Sequence, residues 1–265
     1  MKISIITVCF NSKEHIKDTI ESVFNQSYPE IEYIVVDGGS KDGTVEILKS
    51  FNGKISQWIS EPDEGIYDAM NKGIRLATGD VVGIVNSDDF FHRRDSIEAI
   101  AKCFRENEVE SVFADVIFVK RDNPERHIRY YSSESFRPWK MKFGFMPAHP
   151  TFFTYRSTFE KYGFYDTSFT IAADFEIMVR LFLKHKISYK YINMDLMKMR
   201  TGGVSTRSLK SNLIINKENL RALRKNGFYS NYLFLFSRYV IKIFHYLPFF
   251  ISFKLKGKNS HGHLR

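Results

Sequence analysis

The sequence predicts an α/β fold with a parallel, doubly wound sheet. Three runs rich in β-branched residues, at 2–9, 31–36 and 81–85, show no polar alternation, which is typical of strands buried on both faces. Segments of helical character separate these runs, and repeated strand–helix alternation favours parallel strands joined by crossover helices. In such folds ligands bind outside the carboxyl ends of the strands.

Each element of the first half has a local signal. Ser12 can cap a helix that runs to about Gln26, and the second strand ends at Asp37, before a turn of two glycines and a serine. The elements that follow are a helix from Asp42 to Phe51, a strand from Ile55 to Ser60, a helix from about Tyr67 to Ala77, a strand from Val81 to Val85 and a helix from Asp95 to Arg105.

Beyond Arg105 the hydrophobic period weakens, and strands are predicted at 111–119, 127–131 and 151–155. Residues 172–185 place apolar side chains at helical spacing, which indicates a helix with one apolar face. Asp174 lies in its first turn.

The positive charge is confined to one end of the chain. The 265 residues contain 39 Lys and Arg against 30 Asp and Glu, and nine of the cations lie from Arg221 onward, where no acid occurs. The chain before Arg221 is therefore formally neutral. A nucleic-acid-binding protein would instead distribute cations over a groove among stacking rings, so we expect no nucleic-acid partner.

Only two cysteines are present, Cys9 and Cys103, so a disulfide framework is excluded and both are expected to be buried thiols of a reduced protein. The first residues run directly into a strand and lack the pattern of a signal peptide. We therefore expect a cytoplasmic location.

Asp37 ends the second strand, where doubly wound folds hold a nucleotide, and its carboxylate can accept a hydrogen bond from a ribose hydroxyl or a base. A dinucleotide-binding enzyme is not indicated, because no Gly-x-Gly-x-x-Gly follows the first strand. The alternative is that Asp37 is only a turn residue.

Two adjacent acids, Asp88 and Asp89, follow the buried strand 81–85, within the sequence Asn86-Ser87-Asp88-Asp89. Like charges repel in a partly desolvated cleft, and a divalent ion such as Mg²⁺ or Mn²⁺, which prefers oxygen ligands, would relieve that repulsion. The alternative is an acidic turn that caps a following helix.

The order of several segments resembles the family 2 glycosyltransferases. The resemblance implies a GT-A fold, in which a Rossmann-like mixed central sheet is flanked by helices, and an inverting transfer of sugar from a nucleotide diphosphate. The matching segments are 6–11, 35–44, 61–73, 86–89, 148–153 and 172–176, which together span most of residues 3 to 205.

The resemblance also implies roles for individual residues. Thr7, Phe10 and Asp37 would hold the nucleobase, commonly uracil. The Asp-x-Asp motif of the family maps onto Asn86-Ser87-Asp88, so this chain departs from the pattern at Asn86, whose amide adds no charge but can still hydrogen-bond the ribose. Asp88 would then be the principal metal ligand.

The remaining implied roles concern the diphosphate, the metal and the acceptor. Asp174 would be the general base that accepts the proton of the acceptor hydroxyl, with an N-cap as its alternative role and Glu176 as the substitute acid. The other assignments are Lys72 and Arg200 to the nucleotide, with Arg200 on a closing loop at 199–205, His149 to the metal beside Asp88, and Asp89 to the orientation of the acceptor or the loop.

We expect a GT-A catalytic domain at 1–205 and a basic, aromatic-rich helical tail at 206–265. Arg238, Lys242 and His245 fall on one narrow helical stripe, which favours peripheral contact with an anionic membrane at its inner face. The alternative is a helix packed on the catalytic domain or on a second subunit.

The function expected from these observations is transfer from a UDP-sugar to a saccharide acceptor, lipid-linked and part of a surface polysaccharide. The alternative is a non-catalytic module that binds a nucleotide sugar without turning it over.

Overall fold

The computed structural model describes residues 1–202 and 209–239. Within these ranges the chain forms a nine-stranded mixed sheet in the order β3-β2-β1-β4-β8-β6-β9-β5, with β7 paired to β6. The strands are β1 (Ile3–Cys9), β2 (Ile31–Asp37), β3 (Gln57–Ser60), β4 (Val81–Asn86), β5 (Asp89–Phe91), β6 (Ser111–Lys120), β7 (Asn123–Tyr131), β8 (Phe153–Tyr155) and β9 (Tyr189–Arg200).

The first four strands are parallel, with β1 between β2 and β4. This half confirms the predicted alternation, and its helices are α1 (Ile16–Phe24), α2 (Thr44–Ser50) and α3 (Ile66–Leu76). Helix α1 begins three residues later than predicted, with His15 in place of Ser12 at its N-cap position. The Ser12 hydroxyl does not cap it, because that hydroxyl lies 2.7 Å from the Ser87 hydroxyl across the strand ends.

The rest of the sheet is not parallel throughout. Strand β8 is antiparallel to both β4 and β6, β9 is parallel to β6, and the short β5 is antiparallel to β9. An all-parallel sheet is therefore wrong beyond β4, whereas the mixed sheet implied by the resemblance is confirmed. In one case the physical reason is local: β6 and β7 are joined by two residues, a connection that suits antiparallel partners.

Alternating residues of the parallel strands enter two cores on opposite faces of the sheet. Ile6 and Val8 face the layer of α3 and the C-terminal helices. Ile3 and Ile5 face the layer of α1 and α4 (Ser96–Glu106). Cys9 is buried as expected, while Cys103 is half-buried.

The C-terminal helices complete the first of these cores. Helices α5 (Arg156–Tyr162) and α6 (Ala173–Met178) precede a π-helical turn (Val179–Lys184), and α7 (Leu209–Lys225) packs against α6. A last helical segment, α8, is described over 232–239. Leu220, Leu223 and Leu235 from this region are fully or almost fully buried in the core.

The described part of the tail is therefore packed on the domain, as the alternative to a membrane helix proposed. Arg238 of the predicted basic stripe is buried and donates to the carbonyl of Gly144 (2.9 Å). Lys242 and His245 lie outside the described residues, as does the boundary at 205. In the parts of the chain that the structure describes, no helix combines the length and the hydropathy needed to cross a bilayer.

Candidate active site

The carboxyl ends of β1, β2 and β4 lie side by side. Cys9 pairs in register with Asp37, and Val8 pairs with Asn86. The two acidic motifs of the sequence, which are almost 50 residues apart, are thus brought to one edge of the sheet.

Asp37 organises the turn at the end of β2. Its Oδ2 accepts hydrogen bonds from the backbone N–H groups of Gly39 (3.1 Å) and Ser40 (3.0 Å) and from the Ser60 hydroxyl (2.6 Å). Its Oδ1 accepts from the Ser40 hydroxyl. The carboxylate is buried and fully engaged, so the structure places Asp37 in the turn role, and its contact with a nucleobase stays a prediction.

Thr7 lies within β1, and Phe10 follows the end of that strand. The Phe10 ring is 63% exposed at the open edge, where a flat base can stack on it. The Thr7 side chain is fully buried and its hydroxyl accepts a hydrogen bond from Tyr33 (3.1 Å). The structure therefore places Phe10, but not the Thr7 side chain, where a nucleotide has access.

The segment from Asn86 to Asp89 is a turn between β4 and β5. An acidic cap for a following helix is the wrong interpretation of it, because Asp89 begins a strand that pairs with β9. The Asn86 amide donates to the Asp89 carboxyl (3.2 Å), whereas Asn86 Oδ1 is buried without a hydrogen-bond partner in the described chain.

The two adjacent acids meet different environments. Asp89 is buried, and burial, with the neighbouring Asp88 charge, raises its pKa well above the usual range of a carboxyl group. The side chain of Asp88 is 28% exposed and pairs with Arg121 (3.3 Å). The raised pKa of Asp89 and the arginine beside Asp88 both reduce the repulsion that favoured a metal ion.

Arg200 is the last residue of β9, not part of a closing loop. Its guanidinium donates to the backbone carbonyl of Asp88 (2.9 Å), pairs with Asp18 and lies over the Phe90 ring at 4.8 Å. Arg200 is only 4% exposed, so it stabilises the Asp88 turn from within the protein, through the hydrogen bond to the backbone carbonyl. The later part of the predicted loop, 203–205, lies outside the described residues.

Lys72 lies on α3 and reaches back over the loop before that helix. It forms ion pairs with Glu61 (2.9 Å) and Asp68 (3.4 Å) and donates to the carbonyl of Pro62 (3.0 Å). The hydrogen bond to Glu61 raises the pKa of Lys72. Its contact with a nucleotide stays a prediction.

Asp174 lies in the first turn of α6, among aromatic side chains. Burial raises the pKa of its carboxyl group to about 6, although one oxygen accepts a hydrogen bond from the N–H of Phe175 (2.7 Å). Tyr67 and Tyr165 stack beside it with ring centroids 6.0 Å apart. An acid in this setting titrates near neutral pH, as a general base should.

His149 contacts the same aromatic cluster. Its Nε2 lies 2.8 Å from the Tyr165 hydroxyl, and burial lowers the pKa of the imidazole to about 4. The ring is therefore neutral at physiological pH, which is the form that binds metals. Asp88 and His149 are nevertheless engaged by different partners, Arg121 and Tyr165, and their joint role at a metal stays a prediction.

Glu176, the substitute for Asp174, is held by structural contacts. Its buried carboxylate pairs with Arg180 (2.8 Å) and accepts a hydrogen bond from Asn226 (3.0 Å). These contacts give Glu176 a structural role, and the role of Asp174 as the base stays a prediction.

The residues at the carboxyl ends of the strands can supply some of the ligands of a metal ion. In residues 1–202 and 209–239, no group of three or more His, Cys, Asp or Glu side chains is arranged to hold an ion. Mg²⁺ and Mn²⁺ commonly take one or two protein oxygens and complete their shell with phosphate and water. The half-buried Asp88 carboxylate and the unpartnered Asn86 Oδ1 meet that requirement.

The chain is similar to known proteins in sequence. Residues 4–173 match the family described as glycosyl transferase family 2. A glycosyltransferase of Mycobacterium tuberculosis, described as uncharacterised, is 36% identical over 183 residues, which are 67% of this chain and 68% of the relative.

Solved structures share the architecture. TarS from S. aureus in complex with UDP-GlcNAc superposes with a TM-score of 0.65 at 16% identity, over 85% of this chain and 65% of that one. A mannosyltransferase from Pyrobaculum calidifontis in complex with GDP-Man and Mn²⁺ gives a TM-score of 0.65 at 18% identity, over 99% of this chain and 76% of the other. The fold is GT-A, and the chain belongs to glycosyl transferase family 2.

Proposed function

We propose that the protein transfers a sugar from a UDP-sugar to a hydroxyl group of a saccharide acceptor, with inversion at the anomeric carbon. The observation that carries the proposal is the half-buried Asp174 carboxyl group, which lies beside Tyr67 and Tyr165 and whose pKa desolvation raises to about 6. A single displacement needs one such base within reach of the acceptor hydroxyl.

The reaction proceeds in one step at the anomeric carbon. The acceptor oxygen bonds to that carbon while Asp174 takes its proton, and the bond to the nucleoside diphosphate breaks with its electron pair leaving on the phosphate oxygen. The transition state has oxocarbenium character, as in glycoside hydrolysis. One base and one leaving group on opposite faces of the sugar give inversion.

The donor is proposed to lie across the ends of β1, β2 and β4. Phe10 offers an exposed ring to the base, and the Asp37 turn and Asn86 border the ribose. A divalent ion held by Asp88 would offset the charge that grows on the departing diphosphate. The UDP-GlcNAc complex of TarS and the Mn²⁺ complex of the Pyrobaculum enzyme support this arrangement.

The test is a panel of nucleotide sugars, each measured with Mn²⁺, with Mg²⁺ and with EDTA. A ligand that binds only the native state raises its melting temperature, so a UDP-sugar should stabilise the protein only in the presence of metal. Transfer or donor hydrolysis should follow the same preference. A donor that stabilises the protein but is never consumed would instead favour a non-catalytic binding module.

The acceptor is proposed to be lipid-linked, because an exposed apolar surface lies on the C-terminal side of the domain. We call it the aromatic surface; its exposed members are Trp139, Tyr229, Tyr232, Leu233 and Phe236. Two segments of the chain build it. Phe143 stacks on Phe234 at 4.9 Å, while Trp139 packs on Phe143 at 6.0 Å and Tyr229 on Phe234 at 6.2 Å.

The chemistry of the aromatic surface suits an anionic bilayer at the inner face of the cell membrane. Aromatic side chains favour the headgroup region, Leu233 is 77% exposed, and Lys140 and Lys142 lie beside Trp139 and Phe228. No acidic residue follows Glu218 in the sequence. Each basic residue near an anionic surface contributes about 1 kcal/mol to binding.

Vesicle sedimentation of the full chain tests the membrane contact. We expect binding to vesicles that contain phosphatidylglycerol, weaker binding to phosphatidylcholine alone, and a loss on Leu233→Glu. Leu213→Glu is the matched control, since Leu213 is exposed on α7 outside the aromatic surface. Equal binding of both variants and the wild type would exclude this surface.

A further inference from the structure

The C-terminal half of helix α7 contacts the segment that leads into α6. Lys225 forms an ion pair with Asp166. Arg221 donates to the carbonyl of Ser168 (2.8 Å), and its guanidinium lies over the Phe169 ring at 3.7 Å. One face of α7 therefore holds the backbone of 166–169 in place.

Glu218 makes the next contacts along the same face. Its carboxylate accepts hydrogen bonds from three consecutive backbone N–H groups, those of Thr170 (2.8 Å), Ile171 (2.9 Å) and Ala172 (2.9 Å). Glu218 is 8% exposed, so these charge-assisted bonds are shielded from water. Ala172 is the residue that caps α6, two positions before Asp174.

We propose that Glu218 is a positioning residue for Asp174: by binding the three N–H groups that precede α6, it sets where the Asp174 carboxyl group stands relative to the acceptor. The inference rests on the proposed role of Asp174 as the base. The inference gives helix α7 a part in the reaction, although α7 lies beyond the segment that matches the family.

The surroundings of Asp174 make Glu218 the charged group to test. The titratable groups that face the Asp174 carboxyl within the described chain are Tyr67 from α3, Tyr165 from the preceding loop and Glu218 from α7. The tyrosines are neutral at physiological pH, since burial raises the pKa of both phenols. Glu218 is therefore the anion whose removal would favour ionisation of Asp174.

Two variants separate charge from position. Glu218→Asp keeps the charge but shortens the side chain, so it withdraws the carboxylate from the N–H groups. Glu218→Gln keeps the length but replaces one acceptor oxygen by a donor. A misplacement of about 1 Å costs up to about 10²-fold in rate, so we expect kcat to fall about 10- to 100-fold in both, with unchanged donor affinity.

The pH profile gives a readout that a merely structural role would not move. In Glu218→Gln the acid limb of kcat should shift to lower pH, because the anion that opposes ionisation of Asp174 is gone. In Glu218→Asp it should stay in place. Arg221→Ala, from the neighbouring turn of α7, should lower the melting temperature without changing kcat or the acid limb.

Wild-type kcat and pH profile in both Glu218 variants would overturn the inference, as would an equal loss of kcat in Arg221→Ala. Assays run below the melting temperature of each variant, which is measured in parallel. Asp174→Asn separates a failure of the proposed function from a failure of the positioning role of Glu218. If it remains active, the proposed function fails; if it is inactive while the Glu218 variants are normal, only the positioning role fails.

Discussion

The two sides of the candidate site are held in different ways. On the donor side, Asp37 ends β2 and Asp88 follows β4, the two parallel strands that flank β1, and both residues are fixed by contacts of the sheet and its turns. On the base side, Asp174 lies on a short helix whose start is held by Glu218, 46 residues beyond Ala172. Donor binding should therefore depend on the strand ends, and turnover on the packing of the C-terminal helices.

The largest effect that tests this comparison is expected for Asp174→Asn. Removal of the proton acceptor should lower kcat about 10²- to 10⁴-fold, while the donor dissociation constant stays unchanged. The measurement is steady-state transfer together with donor titration.

Glu176→Gln is the matched control for that variant. It removes a buried charge that pairs with Arg180, so it should lower stability more than it lowers kcat per folded molecule. A normal Asp174→Asn enzyme with an inactive, folded Glu176→Gln enzyme would transfer the base role to Glu176.

On the donor side, Asp88→Ala should abolish the stabilisation by a UDP-sugar with Mn²⁺ and leave the fold intact. The partly exposed carboxylate contributes no core packing, and its loss removes the proposed principal metal ligand. Thermal shift with and without metal is the measurement. Asp122→Asn, at an exposed carboxylate next to Arg121, is the control; wild-type metal dependence in Asp88→Ala would exclude Asp88 as a ligand.

The pH dependence of kcat and of stability tests the role proposed for Asp174. The folded-state pKa of Asp174 is raised to about 6 by burial, so kcat should fall as the pH drops through about 6. The folded state then binds more protons than the unfolded state between the ordinary carboxyl pKa and 6, and this group's contribution to stability is lost as the pH rises through that window. Asp174→Asn should therefore unfold at a higher temperature than the wild type at pH 7.5 but not at pH 3.5.

The smallest effect is expected for Arg121→Gln. Its ion pair with Asp88 is partly exposed, and such pairs contribute up to about 1 kcal/mol, or about fivefold in an equilibrium constant. Release of Asp88 should lower the Mn²⁺ concentration needed for half-maximal stabilisation by up to that factor. A higher requirement would instead mean that Arg121 itself contacts the bound diphosphate.

The sequence is informative where burial and local turns decide the structure. Unbroken β-branched runs mark the buried strands that end at Asp37 and Asn86, and parallel strands of one sheet place those residues at the same edge. The direction of the later strands was not marked in this way. The two glycines that follow Thr201 predict a loop around Arg200. The pairing of Arg200 with β6 as part of β9 has no corresponding signal in the sequence.

Long-range partners leave no signal in a single sequence. Arg121 reaches Asp88 from 33 residues away, and Glu218 reaches the start of α6 from 46; neither occupies a motif or a periodic position that would single it out. The raised pKa of Asp89 leaves no signal for the same reason, since it depends on burial that the sequence around this residue does not reveal.

The contact of Glu218 with residues 170–172 also has a consequence for synthesis on the ribosome. A chain made from its N-terminus can pair β1, β2 and β4 as soon as Asn86 has emerged, but the three backbone N–H groups before α6 acquire their common acceptor, the Glu218 carboxylate, only when α7 has left the exit tunnel. Native contacts of high sequence separation form late. The nascent polypeptide would thus assemble the strand ends that carry Asp37 and Asn86 first, and would fix the position of Asp174 only after α7 has been synthesised.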